Sequence, residues 1–332
     1  MTNDTLLSVK DLKVYFPAGD RIARAVDGVS FEVRPEETVC IVGESGCGKT
    51  VSALSILGLN AAPPAEIAGG RIMFDGQSLL KLDEESMRKI RGNHIAMVFQ
   101  EPLTSLNPVF TIGDQISEAV SIHKNIGTEA LHQRCVQLLK NVGLPFPEQR
   151  LKDYPHQLSG GQRQRVMIAM ALACAPRLII ADEPTTALDV TVQAQILQLF
   201  KSIQKKRSMS LLYITHDLGV VANIADRVYV MYAGAIVEQG NTAQIFRHAC
   251  HPYTQGLLAS LPSRLKRGKK LYSIPGAVPN PAFKPQGCPF HPRCPYAEPV
   301  CREAFPKMCD YDQGHQARCP ILFKDKDYGI NK

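Results

Sequence analysis

Gly43-Glu44-Ser45-Gly46-Cys47-Gly48-Lys49-Thr50 follows directly on Thr38-Val39-Cys40-Ile41-Val42. The five residues before the glycines are apolar and β-branched enough to read as a buried strand. The residues after Gly48 begin a helical pattern. The stretch fits G-x-x-x-x-G-K-[ST] in the strand–turn–helix setting that the motif needs. Glycines at 43, 46 and 48 permit tight turning. Successive backbone N–H groups, backed by a helix N-terminus, can then face a phosphate. Lys49 is placed to reach the outer phosphates and Thr50 to ligate Mg²⁺. Cys47 lies inside the loop, either as filler or as a thiol activated by the helix N-terminus.

The same alternation continues downstream. Leu178-Ile-Ile-Ala181 reads as a second buried strand, ending in Asp182-Glu183. Ser210–Thr215 reads as a third, ending at His216-Asp217. Between them Val192, Ile196, Leu199, Phe200 and Ile203 recur at helical spacing. Strand–helix–strand repetition with polar residues at the strand ends is an α/β pattern, with ligands expected at the carboxyl edge. Asp182 is positioned to hold a magnesium ion and Glu183 to polarise a water. Residues 101–165 read as a helical insertion. Leu158-Ser159-Gly160-Gly161-Gln162 reads as a helix start, with Ser159 as cap and Gln162 completing a capping box. The two glycines bare N–H groups at the positive end of the helix dipole.

Composition narrows the class. With 45% apolar and 21% charged residues over 332 positions, the chain supports a sizeable core, so wholesale disorder is excluded. Its longest apolar candidate, Val220 to Val237, is broken by Asp226 and Arg227, so no membrane span is expected. No secretory signal is expected from the opening residues. Residues 251–332 carry 13 basic and 6 acidic side chains, which is the entire net charge of +7. That region also crowds prolines and five of the ten cysteines, and reads as an irregular appendage. Its basic balance suits anionic lipid, nucleic acid or an acidic protein surface. Without an export signal, the cysteine usage argues for a reducing compartment and a metal or cluster site.

Taken in order, the phosphate loop, L-S-G-G-Q, L-I-I-A-D-E and I-T-H-D resemble the ATP-binding cassette (ABC) ATPases. The resemblance implies a P-loop nucleotide-binding fold with a helical subdomain. It implies ATP binding by Gly43 to Thr50, with Glu44, Ser45 and Cys47 among the loop residues. Glu183 is then the general base and His216 the switch residue that reaches the γ-phosphate. Mg²⁺ is held through Thr50, Gln100 and Asp182, where Gln100 follows the strand Ile95–Phe99 and also senses the transport partner. Ala187-Leu188-Asp189 matches the D-loop. An aromatic near Leu12 stacks on adenine, Phe16 ahead of Tyr15. Two such subunits pair head to tail, so Ser159, Gly160, Gly161 and Gln162 would face the partner's ATP.

Glu101–Pro108, Tyr154–Gln162, Ala181–Thr191 and His251-Pro-Tyr-Thr254 narrow the resemblance to the ATPase subunits of oligopeptide/dipeptide importers, with nickel importers sharing much of the pattern. The implied organisation is an ATPase domain over 1–250 and a C-terminal region over 251–332. The implied partners are a second ATPase subunit, two integral membrane permease subunits and an extracytoplasmic peptide-binding protein. The implied location is peripheral, on the cytoplasmic face of the membrane. The alternative is a soluble ABC ATPase acting on nucleic acid or ribosomes, though the chain has neither a second cassette nor a coiled-coil insertion. The spacing of Cys288, Cys294 and Cys301, with Cys319 downstream, lacks the paired C-x2-C of a zinc ribbon. The family resemblance implies a 4Fe–4S cluster on these four, with zinc or free thiols as alternatives. Cys309 is a fifth thiol, spare or an alternative ligand, and His291 and His315 are further possible ligands.

Overall fold

The computed structural model describes residues 5–101, 105–186, 188–261 and 272–321. Ala187 of the D-loop motif lies outside them, as do residues 102–104 and the basic run Arg264, Lys266, Arg267, Lys269 and Lys270. The chain divides into two compact units. The first holds residues 1–33, 38–80 and 214–332; the second holds 34–37 and 81–213.

The first unit opens with β1 (Leu7–Ala18) and β2 (Arg21–Val33), followed by β3 (Thr38–Val42), α1 (Lys49–Ile56), β4 (Glu66–Phe74) and β5 (Gln77–Ser78). β2, β1, β4 and β5 make an antiparallel sheet in that order. β1 alternates along its inner half, with Leu7, Val9, Leu12 and Val14 buried. The alternation is broken once, by a register shift between Val9 and Leu12 that returns the buried face to the core past exposed Lys10 and Asp11. β3 is buried at every residue. A strand covered on both faces has no solvent side to supply polar residues, which is why its sequence is a continuous apolar run.

The second unit contains α2 (Glu84–Ile90), β6 (Ile95–Val98), α3 (Ile112–Ser121), α4 (Thr128–Asn141), α5 (Pro147–Arg150), α6 (Gly160–Ala171), β7 (Leu178–Asp182), α7 (Val190–Arg207) and most of β8 (Ser210–Thr215). β6 and β7 pair in parallel, Ile95 opposite Leu178 and Val98 opposite Ala181. The expected helical insertion is present as α3 to α5 and the start of α6. α3, α4 and α6 pack on one another. Local chemistry fixes their starts: Thr111 and Asp114 form a capping box at α3, and Asp83 caps α2. The apolar stripe expected on α7 is buried at Ile196, Leu199, Phe200 and Ile203.

Back in the first unit come α8 (Leu218–Ile224), β9 (Arg227–Tyr232), β10 (Ala235–Asn241), α9 (Thr242–His248), α10 (Pro252–Ala259), α11 (Val300–Glu303), β11 (Cys309–Asp312) and β12 (His315–Ala317). β3 pairs in parallel with β9, and β9, β10, β12 and β11 continue antiparallel. The proline-rich region is therefore irregular from 272 to about 299 but ends in two short strands that extend the sheet. Prolines cannot donate to a ladder, and none lies within β11 or β12. Glu238, fully buried in mid-β10, anchors this extension. It accepts the Cys250 and His251 backbone N–H groups at 2.7 and 2.8 Å and lies 2.8 Å from His315 Nε2 on β12. A buried carboxylate needs such partners, and these fasten residues 250, 251 and 315 to one atom group.

Candidate nucleotide and thiol sites

The phosphate loop is built in the first unit. Gly48, at φ +104°, opens α1 and supplies no capping side chain. The first-turn N–H groups of α1 therefore gain no side-chain acceptor from their cap, as an anion site requires. A Cβ at Gly48 would also strike the Ala25 carbonyl oxygen. Lys49 is buried, its ammonium donating to the carbonyls of Gly43 at 2.8 Å and Glu44 at 3.1 Å. Thr50 is exposed at the head of the helix, and Ser45 and Gly46 are exposed on the turn.

Cys47 is fully buried behind the loop. Burial pushes its thiol up, against a smaller pull downward from Lys49. The activated-thiol reading is thereby corrected: desolvation outweighs the helix terminus, and Cys47 packs as a small apolar group. Iodoacetamide at pH 7.5 should leave Cys47 largely unmodified over the time that labels the half-exposed Cys309. Rapid labelling at Cys47, read by peptide mass spectrometry, would contradict this.

Of the two aromatics, Tyr15 is engaged. Its hydroxyl donates to Asp27 at 2.9 Å and its ring carries Arg24 at 5.8 Å. Phe16, like Tyr15, is half-buried on the hairpin, opposite Ala23. His216 is exposed just past the end of β8.

The second unit positions the other set. Asp182 ends β7 and is buried, as is Glu183, which adopts φ +45°. A left-handed glutamate is sparsely populated, and such strain concentrates at functional positions. Its carboxylate accepts the Thr186 hydroxyl at 2.9 Å and the Gln100 amide at 3.3 Å. Two residues singled out separately in the sequence thus touch. Ser159 caps α6 as expected: its hydroxyl accepts the Gln162 N–H at 3.3 Å, and Gln162 Oε1 accepts the Ser159 N–H at 3.0 Å. Ser159 is exposed, Gly160 and Gly161 half-exposed. Gly161 has a packing reason as well, since a Cβ there would lie 2.7 Å from Val192 Cγ1. Asp189 caps α7, accepting the Thr191 and Val192 N–H groups at 3.0 Å each. The same unit carries a cavity of about 560 Å³ lined by Arg88, Arg91, Ala119, Ile122 and Met170.

Cys288, Cys294, Cys301 and Cys319 are brought together in the first unit. Burial pushes Cys288 up to about 11; its bond with the Phe290 backbone pulls it down, and the neighbouring Cys319, Cys301 and Cys294 raise it again. Cys294 is raised by burial and by Cys301, and lowered by the Tyr296 backbone. Backbone donors are aimed at Cys288 and Cys294. Among the described residues, the group whose ligand atoms lie within 4.8 Å of one another is a different one, Glu238, Cys250 and His315. Cys309 is elsewhere, packed on the small cluster of Cys250 and Ala317. His315 is taken by Glu238, and His291 Nδ1 lies 2.9 Å from the Cys288 carbonyl oxygen.

Two contacts at the phosphate loop have no sequence signal. Tyr253 of the H-P-Y-T motif accepts the Glu44 N–H at 2.8 Å. Arg293, next to Cys294, forks onto the Glu44 carboxylate at 3.1 Å on each oxygen. An aromatic group of Tyr232, Tyr253 and Phe290 lies beneath, with centroids 4.6 to 5.4 Å apart.

Two family models match the chain. The family described as ABC transporter matches residues 26–186, and the oligopeptide/dipeptide transporter C-terminal region matches 237–301. The chain is 50% identical to a probable peptide ABC transporter ATP-binding protein of Sinorhizobium fredii, covering 95% of each. It is 49% identical to the dipeptide transport ATP-binding protein DppD of Bacillus subtilis over 98% of each. With the oligopeptide transport ATP-binding protein AppD of Bacillus subtilis it shares 50% identity, over 97% of this chain and 98% of that one. Among solved structures it resembles the dimeric ATP-binding cassette MJ0796 in a post-hydrolysis state bound to ADP and Pi. The TM-score is 0.64 at 29% identity, covering 71% of this chain and 98% of that one. The chain belongs to the ABC transporter family, among the ATP-binding proteins of peptide transporters.

Proposed function

We propose that this chain is the ATP-hydrolysing subunit that powers peptide import through a membrane ABC transporter. The observation that carries the reading is the full set of nucleotide motifs, each on the element its chemistry needs, joined to a C-terminal region of the oligopeptide/dipeptide type. In this reading Gly43 to Thr50 cradle the phosphates and Phe16 stacks on adenine. Thr50, Gln100 and Asp182 hold Mg²⁺, an all-oxygen donor set suited to a hard cation. Glu183 accepts a proton from the attacking water, and His216 contacts the γ-phosphate. Two cassettes pair so that Ser159, Gly160, Gly161 and Gln162 of one close on the ATP of the other, with Asp189 at the seam. Closure that completes the site couples phosphoryl transfer to motion.

No helix among the described residues is long and apolar enough to cross a membrane. In line with its family, the subunit works peripherally, at the cytoplasmic face, on two permease subunits fed by an extracytoplasmic peptide-binding protein. We place the boundary between cassette and C-terminal region at 250; the C-terminal family match begins earlier, at 237. The test is reconstitution: with its permease subunits in vesicles, ATPase should rise when peptide-loaded binding protein is added. Stimulation by nucleic acid instead would favour the soluble alternative.

Cys288, Cys294, Cys301 and Cys319 would hold a 4Fe–4S cluster, which when bound supplies a one-electron redox centre. In this reading the cluster acts as a clip joining the segments that carry the four cysteines. Protein purified anaerobically should be brown and carry about four irons per chain. A colourless, zinc-loaded protein would end the iron assignment in favour of zinc.

A further inference from the structure

We propose that Arg293, from the cysteine-rich region, is a positioning residue of the nucleotide site, acting on the phosphate loop through Glu44. The inference rests on the reading that Gly43 to Thr50 binds ATP. Glu44 fills one of the x positions of G-x-x-x-x-G-K-[ST], and its carboxylate adds negative charge to a loop that must receive a highly charged anion. Like charge there opposes binding. Arg293 answers it with a two-pronged fork, 3.1 Å to each oxygen. The guanidinium is itself held. Its Nε donates to the Pro275 carbonyl at 2.7 Å, one terminal nitrogen to the Ile274 carbonyl at 3.3 Å and the other to the Tyr232 hydroxyl at 3.3 Å. Only 6% of its side chain is exposed, against 30% for Glu44. A planar fork fixed by packing and carbonyls loses little freedom when it binds a carboxylate.

Every polar group of Glu44 thus has a partner. The side chain meets Arg293, the N–H meets Tyr253, and the carbonyl meets the Lys49 ammonium. Two of these three partners lie beyond residue 250. The C-terminal region therefore does more than sit beside the cassette: it neutralises and orients the second residue of the phosphate loop.

A double-mutant cycle on the full chain tests this, with MgATP affinity read by calorimetric titration. Arg293→Ala should weaken MgATP binding on the order of tenfold, the scale of coupling between contacting charged groups. Made in a Glu44→Gln chain, the same substitution should cost less than about threefold, because no bare carboxylate is left behind. Arg293→Met, which retains the buried stem, should give the same cycle if Ala loosens the region. Unchanged affinity in Arg293→Ala would overturn the proposal. So would equal losses in both backgrounds, which would make Arg293 a plain structural tie. A wild-type chain that binds no MgATP would instead overturn the nucleotide reading itself.

Discussion

Replacing Glu183 by Gln should stop turnover while leaving MgATP bound. The substitution is nearly isosteric. An amide oxygen at this position can still accept the Thr186 hydroxyl, so the left-handed turn after β7 keeps its tie. What is lost is the basic oxygen. A positioned general base contributes about 10²–10⁴ in rate, so kcat should fall by that much or more, with little change in ATP affinity. Since binding continues and hydrolysis does not, the paired cassettes should accumulate closed around two ATPs, visible as a nucleotide-dependent dimer by size exclusion. The Gln100 amide, which donates to Glu183, would then face an amide, and its orientation becomes free to flip. Full turnover by this variant, in a complex whose second cassette carries the equivalent change, would remove Glu183 from the chemistry.

The contact between Gln100 and Glu183 shows where sequence reading ends. Each residue was legible alone, because each follows an apolar strand and sits in a recognisable string. Their meeting depends on β6 and β7 being parallel neighbours with Val98 opposite Ala181, and no local pattern encodes that register. The α/β core was legible because β3, β7 and β8 are buried along their length and read as bare apolar runs. The helix start at Ser159 was legible because a capping box is a four-residue affair. The tail was not. β11 and β12 are short, polar and flanked by turn residues, and their place in the sheet is set by long-range contacts to β10, Glu238 with His315 and Gln239 with Gln316 among them. A glutamate in A-I-V-E-Q-G-N looks like an ordinary exposed strand residue until its partners, 12 to 77 positions away, are known. Cys47 left two readings open in the sequence, filler or activated thiol, and only three-dimensional burial separates them.

Lys49→Met should abolish nucleotide binding at any practical concentration. The ammonium does two things that a thioether of similar length cannot. It is a buried cation 5% exposed, positioned by its own loop, and it donates to the Gly43 and Glu44 carbonyls. Met leaves both carbonyls short of that donor and removes the positive charge that phosphate oxygens would meet. Hydrogen bonds to charged groups are worth about 1.5–3 kcal/mol each. Losing one such contact to phosphate lowers affinity roughly ten- to a hundredfold, and losing two lowers it further. The fold should survive, since the hydrophobic stem is kept and α1 retains Ala53 and Ile56 in the core. Measured by titration with a fluorescent ATP analogue, the variant should show no saturable binding up to millimolar nucleotide, with an unchanged helical signal by circular dichroism. Binding within threefold of the parent chain would mean that the Gly43–Thr50 turn is not the phosphate cradle. The roles assigned around it, including that of Glu44 and its partner Arg293, would then have to be redrawn.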